Sequence, residues 1–241
     1  MSHFKAQIGI GLAILISCVC GAVPAHGASF AKIVIDASAD FECAGIGDID
    51  GDGKNEIVSG SYWYDYPSLE RHFICDIEAK SGYRDDFSNL LVDVDNDGDM
   101  DIVSVTWFTQ RCLWRENPGS VDGAWIEHEI DKPGNIETGY LADLTGDGLP
   151  DLVSDVAQSV TWYERLKEPP YWRRRSPGKE GVFHGLGSGD VNGDGRLDII
   201  TPKGWYEAPE NPQDDPWAWH PDFELGSTSV PILGFDVDGD G

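Results

Sequence analysis

One acidic, glycine-rich segment recurs along the chain and constrains its fold more than any other feature. The complete copies read DIDGDGKNEIV from Asp48, DVDNDGDMDIV from Asp93, DLTGDGLPDLV from Asp143 and DVNGDGRLDII from Asp190. A fifth copy, DVDGDG, begins at Asp236 and reaches the last residues of the sequence. Successive copies begin 45, 50, 47 and 46 residues apart. A fixed period of this length is typical of an architecture in which each repeat is one supersecondary unit.

Two further marks follow each complete loop in a constant order. The first is aromatic: WYDYP, WRENP, WYERL and WYEAP; the second is RHFICDI, WIEHEID, YWRRR and WAWH. Each unit therefore has one strand before the loop, one after it and one at each mark, whereas Gly, Pro and Asp interrupt every window long enough for a stable helix. The pattern predicts an all-β fold, a β-propeller of four-stranded blades, incomplete at about four blades plus the start of a fifth. A β-sandwich with decorated turns would not explain the fixed period.

The spacing of oxygen-bearing side chains within each loop predicts a calcium site. Side chains at positions 1, 3 and 5 converge on one point, and a glycine at position 6 permits the sharp bend, as in the front half of an EF-hand loop. A carboxylate at position 9 stands in place of the EF-hand glutamate, and the carbonyl at position 7 is a further candidate ligand. Turn propensity alone explains the residue types but not their fixed spacing. Magnesium is disfavoured because it retains its waters.

The predicted ligands follow the same positions in every loop, with one Ca²⁺ expected per loop. They are Asp48, Asp50, Asp52 and Glu56; Asp93, Asp95, Asp97 and Asp101; Asp143, Thr145, Asp147 and Asp151; Asp190, Asn192, Asp194 and Asp198; and Asp236, Asp238 and Asp240. The third loop is expected to bind more weakly because Thr145 replaces a charged ligand.

The charge of the chain narrows the classes of partner. Lys and Arg number 17 against 43 Asp and Glu, a formal net charge of −26. Nucleic acid and anionic lipid both require basic patches, so neither is an expected partner.

The first 27 residues have the pattern of a secretory signal peptide. Lys5 precedes an apolar run from Ile8 to Val23, and small residues suited to cleavage follow in AVPAHGA. An uncleaved anchor is the alternative, although a run of about 16 residues is short for a membrane span. Leu15–Cys18 also resembles a lipoprotein box, with anchoring at Cys18. The mature chain, residues 28–241, is expected to be secreted, periplasmic or at the cell surface, with no stable membrane span.

The loops and their period resemble the FG-GAP/VCBS repeats of integrin-α-type propellers, over residues 29–241. That resemblance implies calcium in the loops. The segments FHGLGSGDVNGDG, GWYEAP and WAWHPDFELG more loosely resemble the propeller of aldos-2-ulose dehydratase-like secreted proteins, which dehydrate keto-sugars and carry metal ions. Because the fifth loop is cut off, the sequence is expected to be a C-terminally truncated piece of a protein that the resemblance gives six to eight blades. The remaining blades are expected from the missing part.

Chemistry is expected on the propeller face opposite the loops. Counting six residues back from the first Asp of each loop gives Glu42, Phe87, Glu137, His184 and Val230. The connections between the second and third strands add Thr106, Trp107, Arg111 and Lys203. Glu137, His184, Glu42 and Lys203 are the candidate catalytic residues, as acid and base or as ligands of a second metal. The alternative is that these residues are merely solvent-exposed.

Three functions remain open from the sequence. The first is a calcium-stabilised binding module for carbohydrate or another extracellular ligand, including a protein. The second is a metal-assisted carbohydrate lyase or isomerase of the dehydratase kind. The third is a structural or adhesive repeat array.

Overall fold

The computed structural model describes residues 31–156, 159–181, 185–226, 232 and 234. The chain divides into two compact units, Met1–Val34 and Ile35–Gly241. Of the first unit only residues 31–34 are described, and they form no strand. The predicted signal peptide (1–27), His184, Val230 and the fifth loop lie outside the described residues. Within the described part of the chain there is no helix, and so none that could cross a membrane.

The second unit contains four antiparallel sheets of four strands, each made of strands consecutive in the chain. The first sheet comprises β1 (Gly45–Gly47), β2 (Glu56–Ser59), β3 (Tyr62–Tyr64) and β4 (Arg71–Phe73). A two-stranded ribbon follows, β5 (Ala79–Lys80) and β6 (Tyr83–Arg84). The second sheet comprises β7 (Leu90–Val92), β8 (Asp101–Val105), β9 (Cys112–Glu116) and β10 (Ile126–Asp131).

The third and fourth sheets repeat the arrangement. They comprise β11 (Ile136–Ala142), β12 (Asp151–Val156), β13 (Val160–Arg165) and β14 (Trp172–Gly178), then β15 (Gly187–Gly189), β16 (Asp198–Thr201), β17 (Gly204–Glu207) and β18 (Ala218–His220). In each four-stranded sheet the acidic loop joins the first strand to the second, and the aromatic mark lies in the third strand. The predicted all-β fold of four-stranded blades is confirmed.

The apolar core lies between successive blades. Strands β8 and β12 are buried along their whole length, as expected for central strands covered on both faces. One cluster joins Val103 and Trp114 of the second blade to Leu152 and Tyr163 of the third. The tryptophans of all four aromatic marks are at most 6% exposed, so they pack in the interior of the fold.

The innermost strands of neighbouring blades approach closely, which explains their glycines. Strand β1 lies beside β7, and β11 lies beside β7 and β8. A Cβ added at Gly45 would lie 2.5 Å from the carbonyl oxygen of Asn89, a contact that no larger residue tolerates. Gly187 has the same role, since its added Cβ would lie 2.1 Å from the carbonyl oxygen of Ile232. Ile232 thus lies against β15, where the first strand of a next blade is expected.

A stacked histidine covers the aromatic mark in three blades. The His128 ring lies 4.4 Å from that of Trp114, and the His220 ring lies 4.3 Å from that of Trp205. His72 on Trp63 repeats the arrangement at 4.0 Å. In the third blade, Arg175 stands opposite Trp162 and binds Glu164 at 2.7 Å.

The basic segment YWRRR is neutralised within the protein. Arg173 and Arg175 pair with Glu164, and Arg174 pairs with Asp131. The cluster therefore pairs with nearby acids of the same part of the fold. The three cysteines of the described chain, Cys43, Cys75 and Cys112, are free thiols.

Candidate metal loops and a candidate ligand cavity

The four described acidic loops share one hydrogen-bond scheme. The carboxylate at position 1 accepts a hydrogen bond from the N–H of the glycine at position 6, between 2.8 and 3.1 Å, in all four loops. The carboxylate at position 5 accepts one from the N–H at position 7, at 2.9 Å in each. These bonds close the loop and gather its acidic side chains on one side.

The position 9 carboxylate is a buried structural anchor as well as a candidate ligand. In every loop it accepts a hydrogen bond from the N–H at position 2, between 2.7 and 2.9 Å. In the second, third and fourth loops its second oxygen accepts a hydrogen bond from an N–H at the end of the third strand, that of Asn117, Arg165 or Ala208, at 2.8 Å. This carboxylate therefore joins the loop to the third strand of its own blade.

Two of the loops bring three carboxylates within reach of one ion. The ligand oxygens of Asp48, Asp50 and Glu56 lie within 4.8 Å of one another, and so do those of Asp93, Asp95 and Asp101. In the first loop Oδ1 of Asp48 and Oε1 of Glu56 are buried without a hydrogen-bond partner among the described residues. Buried carboxylate oxygens without partners are costly, and a hard divalent cation is the partner that such an oxygen set fits. These clusters could hold a metal ion.

The third and fourth loops carry fewer charges at the same positions. Thr145 and Asn192 occupy position 3, and the Asn192 amide donates a hydrogen bond to Asp194 at 2.9 Å. In the first and fourth loops, Lys54 and Arg196 at position 7 pair with the position 5 carboxylates, Asp52 and Asp194. The four loops are therefore electrostatically unequal.

Burial and mutual repulsion raise the pKa values of the buried acids. Burial raises the pKa of both Asp101 and Asp151 to about 7. Burial also raises the pKa of Glu56 and Asp198, and neighbouring loop carboxylates add to this effect. A bound cation would act in the opposite direction by stabilising the charged carboxylates.

Each of the first two loops also contacts the following blade. The Asn117 side chain donates a hydrogen bond to the carbonyl of Ile49 in the first loop at 2.9 Å. Arg165 donates from Nη2 to the carbonyl of Asp93 in the second loop at 2.6 Å. Arg165 is 2% exposed and lies over Trp172, so it links the second loop to the core of the third blade.

A cavity of about 290 Å³ is lined by residues from the strand entries and from the connection between β8 and β9. The described residues that line it are Glu42, Tyr83, Phe87, Trp107, Phe108 and Glu137. Glu42, Phe87 and Glu137 stand at equivalent places before three successive loops, and all three line this cavity. Two carboxylates and four aromatic rings therefore share one open cavity.

A bulge in β11 places Glu137. The pairing of β11 with β12 shifts between Ile136 and Gly139, so that Glu137 and Thr138 stand opposite Asp155 alone. Oδ1 of Asp155 accepts hydrogen bonds from the N–H of Glu137 at 3.1 Å and of Thr138 at 2.8 Å. Bulges of this kind redirect a side chain next to functional sites.

A second buried aspartate, Asp85, fixes the backbone of part of the aromatic wall. The aromatic wall is the set of aromatic residues that line the cavity, Tyr83, Phe87, Trp107 and Phe108. Oδ1 of Asp85 accepts hydrogen bonds from the N–H groups of Trp107 and Phe108 at 2.9 and 2.8 Å, and Oδ2 accepts one from that of Thr109. The carbonyl of Trp107 is held in turn by the Asn135 amide at 2.7 Å. Asp85, Asp155, Tyr83 and Phe108 were not predicted from the sequence. For Tyr83 and Asp85 the signal was the length of the connection between β4 and β7, which exceeds that of a hairpin turn.

The other predicted face residues are distributed differently. Lys203 lies in the turn between β16 and β17 and is not among the described residues that line the cavity. Arg111 lines a neighbouring cavity of about 230 Å³ with Thr106 and pairs with Glu127 and Glu129. His184 lies outside the described residues, so its predicted place beside Glu137 stays a prediction.

Comparison with known proteins supports the repeat. Residues 93–154 match the model of the FG-GAP-like repeat family, a span that runs from the second acidic loop through the third. No curated protein matches the chain. One similar solved structure is a lectin from Agrocybe aegerita, described as specifically recognising non-reducing terminal N-acetylglucosamine, with 19% identity and a TM-score of 0.48. The alignment covers 76% of this chain and 53% of that one, so this chain spans about half the length of the lectin.

Proposed function

We propose that the chain is an exported, calcium-stabilised β-propeller module that binds carbohydrate in the cavity between Glu42 and Glu137. The observation that carries the proposal is the cavity itself. Glu42 of the first blade and Glu137 of the third, which stand at equivalent positions, surround one open volume together with four aromatic side chains.

The lining has the chemistry that sugar recognition requires. Aromatic rings offer flat apolar faces to the C–H groups of a pyranose, while polar groups fix its orientation. Ionised carboxylates are acceptors only, so Glu42 and Glu137 would accept hydrogen bonds from sugar hydroxyls. A volume of about 290 Å³ is at the small end of ligand sites, which favours one or two sugar units, such as the end of an oligosaccharide.

The acidic loops would stabilise the blades that carry the cavity. Calcium in the first loop would be held by Asp48, Asp50 and Glu56, and in the second by Asp93, Asp95 and Asp101, together with the position 5 side chains. The ion supplies positive charge where carboxylates would otherwise repel one another. Export, which the apolar run from Ile8 to Val23 supports, would bring these loops into a calcium-rich medium.

Isothermal titration with neutral oligosaccharides, in excess calcium, tests the proposal. Trp107→Ala should lower the affinity for the tightest oligosaccharide by up to about tenfold, because a stacked ring contributes about 0.5–1.5 kcal/mol beyond the area that it buries. Glu137→Gln should lower it by removing a charged acceptor. Phe73→Ala is the matched control, because Phe73 is an exposed aromatic residue (54%) of the outer strand β4. Equal affinity in all four proteins, or no binding of any sugar, would overturn the proposal.

A further inference from the structure

We infer that the cavity selects ligands that carry a positive charge, so that an amino sugar binds in preference to a neutral or acidic one. This inference rests on the proposed function and names the chemical class of its ligand. It follows from the charge of the lining, from the arrangement of the aromatic rings, and from the ammonium group of Lys80, which lies beside Phe108.

The lining combines two kinds of group that attract cations. Glu42 and Glu137 are carboxylates, and the other described lining residues are Tyr83, Phe87, Trp107 and Phe108. The face of an aromatic ring carries partial negative charge and attracts ammonium groups within about 6 Å of its centre. No Lys, Arg or His is present among the described residues that line the cavity. An ammonium group would thus meet attractive partners on every described wall.

The rings are spaced so that one cation can contact more than one of them. The Phe108 ring centre lies 6.4 Å from that of Tyr83 and 6.5 Å from that of Phe87, with tilted planes. A group placed between two such rings lies within about 6 Å of both centres. Asp85 fixes the backbone of Phe108 and of Trp107, so this arrangement is set before a ligand arrives.

Lys80 shows that Phe108 accepts a cation. Its ammonium nitrogen lies 5.8 Å from the centre of the Phe108 ring, and its side chain lines the neighbouring cavity instead of this one. A cationic ligand would therefore share Phe108 with Lys80, which weakens the attraction for the ligand. Removing the Lys80 charge should tighten the binding of a cation.

The neighbouring cavity provides an internal contrast. It is lined by Lys80, Arg111 and Arg115 as well as by acids, among them Asp85 and Glu127. Mixed charges of this kind give no single preference. The net charge of −26 of the whole chain favours the approach of cations and disfavours that of uronic acids.

Three matched trisaccharides test the inference: unacetylated glucosamine trimer at a mildly acidic pH where its amines are protonated, cellotriose, and trigalacturonate. We expect the amino sugar to bind about tenfold more tightly than cellotriose, and trigalacturonate to bind most weakly. Added salt should reduce the preference because it screens the charges. Tetramethylammonium serves as a cation without a sugar, and it should compete with the glucosamine trimer.

Variants locate the preference in the cavity. Glu42→Gln with Glu137→Gln should abolish the difference between glucosamine trimer and cellotriose, and Lys80→Met should enlarge it. Glu70→Gln, which neutralises an exposed acid of the first blade, should leave it unchanged. Phe108→Leu should weaken tetramethylammonium more than cellotriose.

The outcomes separate this inference from the proposed function. Equal binding of cellotriose and the amino sugar would overturn the charge selection and leave carbohydrate binding in place. Binding of tetramethylammonium without any sugar would support the selection and overturn carbohydrate binding. A preference that persists in the double glutamine variant would overturn the assignment to this cavity, and no binding of any probe would overturn both proposals.

Discussion

The carboxylate of Asp155 holds the backbone of Glu137, through hydrogen bonds from the N–H groups of Glu137 at 3.1 Å and Thr138 at 2.8 Å. Asp155 belongs to β12, the second strand of the third blade, and Glu137 belongs to the bulge in β11, the first strand of the same blade. Asp155 is 8% exposed, so this anchor is part of the blade interior, while Glu137 reaches the cavity. The blade thus fixes the direction of a side chain that the ligand is proposed to contact.

Replacing this anchor should affect stability and binding together. Asp155→Ala leaves the bulge N–H groups without their acceptor, a loss of about 3–6 kcal/mol for two bonds to a charged group. The affinity for the oligosaccharide should fall because Glu137 loses its fixed direction. Asp155→Asn keeps an oxygen at this place and should restore much of both quantities. Urea unfolding and isothermal titration measure them, and an Asp155→Ala protein with wild-type affinity would contradict the positioning role.

The position 9 carboxylates should stabilise the fold even without metal. Asp101→Ala removes the acceptor of the Val94 and Asn117 N–H groups and should lower the free energy of unfolding by about 2–4 kcal/mol in excess chelator. The matched change Asp97→Ala, at an exposed loop position of the same site, should cost less than about 1 kcal/mol under those conditions. Equal losses in the two variants would show that Asp101 has no anchoring role.

The metal-free protein should lose stability as the pH rises from about 4 to about 7. Burial raises the pKa of Asp101 and of Asp151 from 3.8 to about 7 in the folded state. The folded state then binds protons that the unfolded state has released, so its stability is greatest below the unfolded pKa and falls as the pH passes through the folded one. Calcium should suppress this fall because it favours the ionised form. Urea titrations across this range, with chelator and with calcium, provide the test; a chelated protein that gains stability toward pH 7 would disagree.

Calcium should bind the loops with unequal affinity. The first and second loops bring three carboxylates together, whereas Thr145 and Asn192 replace one in the third and fourth. Asp95→Asn should therefore remove or weaken a tight site, and Asp147→Asn a weak one. Calorimetric calcium titration distinguishes the two classes, and excess chelator should lower the melting temperature by mass action. Four equal sites, or a melting temperature insensitive to chelator, would contradict this account.

The repeat made the blades and the loops predictable from the sequence. Each loop is closed by bonds among residues at fixed positions, such as Asp93 with Gly98, so its geometry is local and repeats wherever the motif repeats. The same register placed Glu42 and Glu137 at equivalent points of the first and third blades, and both line one cavity in the structure. Local periodicity therefore carried information about a contact between residues far apart in sequence.

The rest of the cavity depends on features that do not repeat. Tyr83 comes from the ribbon β5–β6, which among the described connections only the one between the first two blades contains. Phe108 is oriented by Asp85 in the same region. The bulge at Glu137 depends on Asp155, which is distant in sequence. Neither the ribbon nor the bulge has a residue pattern that recurs, so no comparison among repeats could have found them.

A crystal structure of the calcium-loaded protein with its tightest-binding oligosaccharide tests the central claim most directly. The account predicts one sugar unit in the cavity, its ring against the aromatic wall that contains Trp107 and its polar groups on Glu42 and Glu137, with ions in the first and second loops. A sugar bound elsewhere, with only solvent between Glu42 and Glu137, would contradict it.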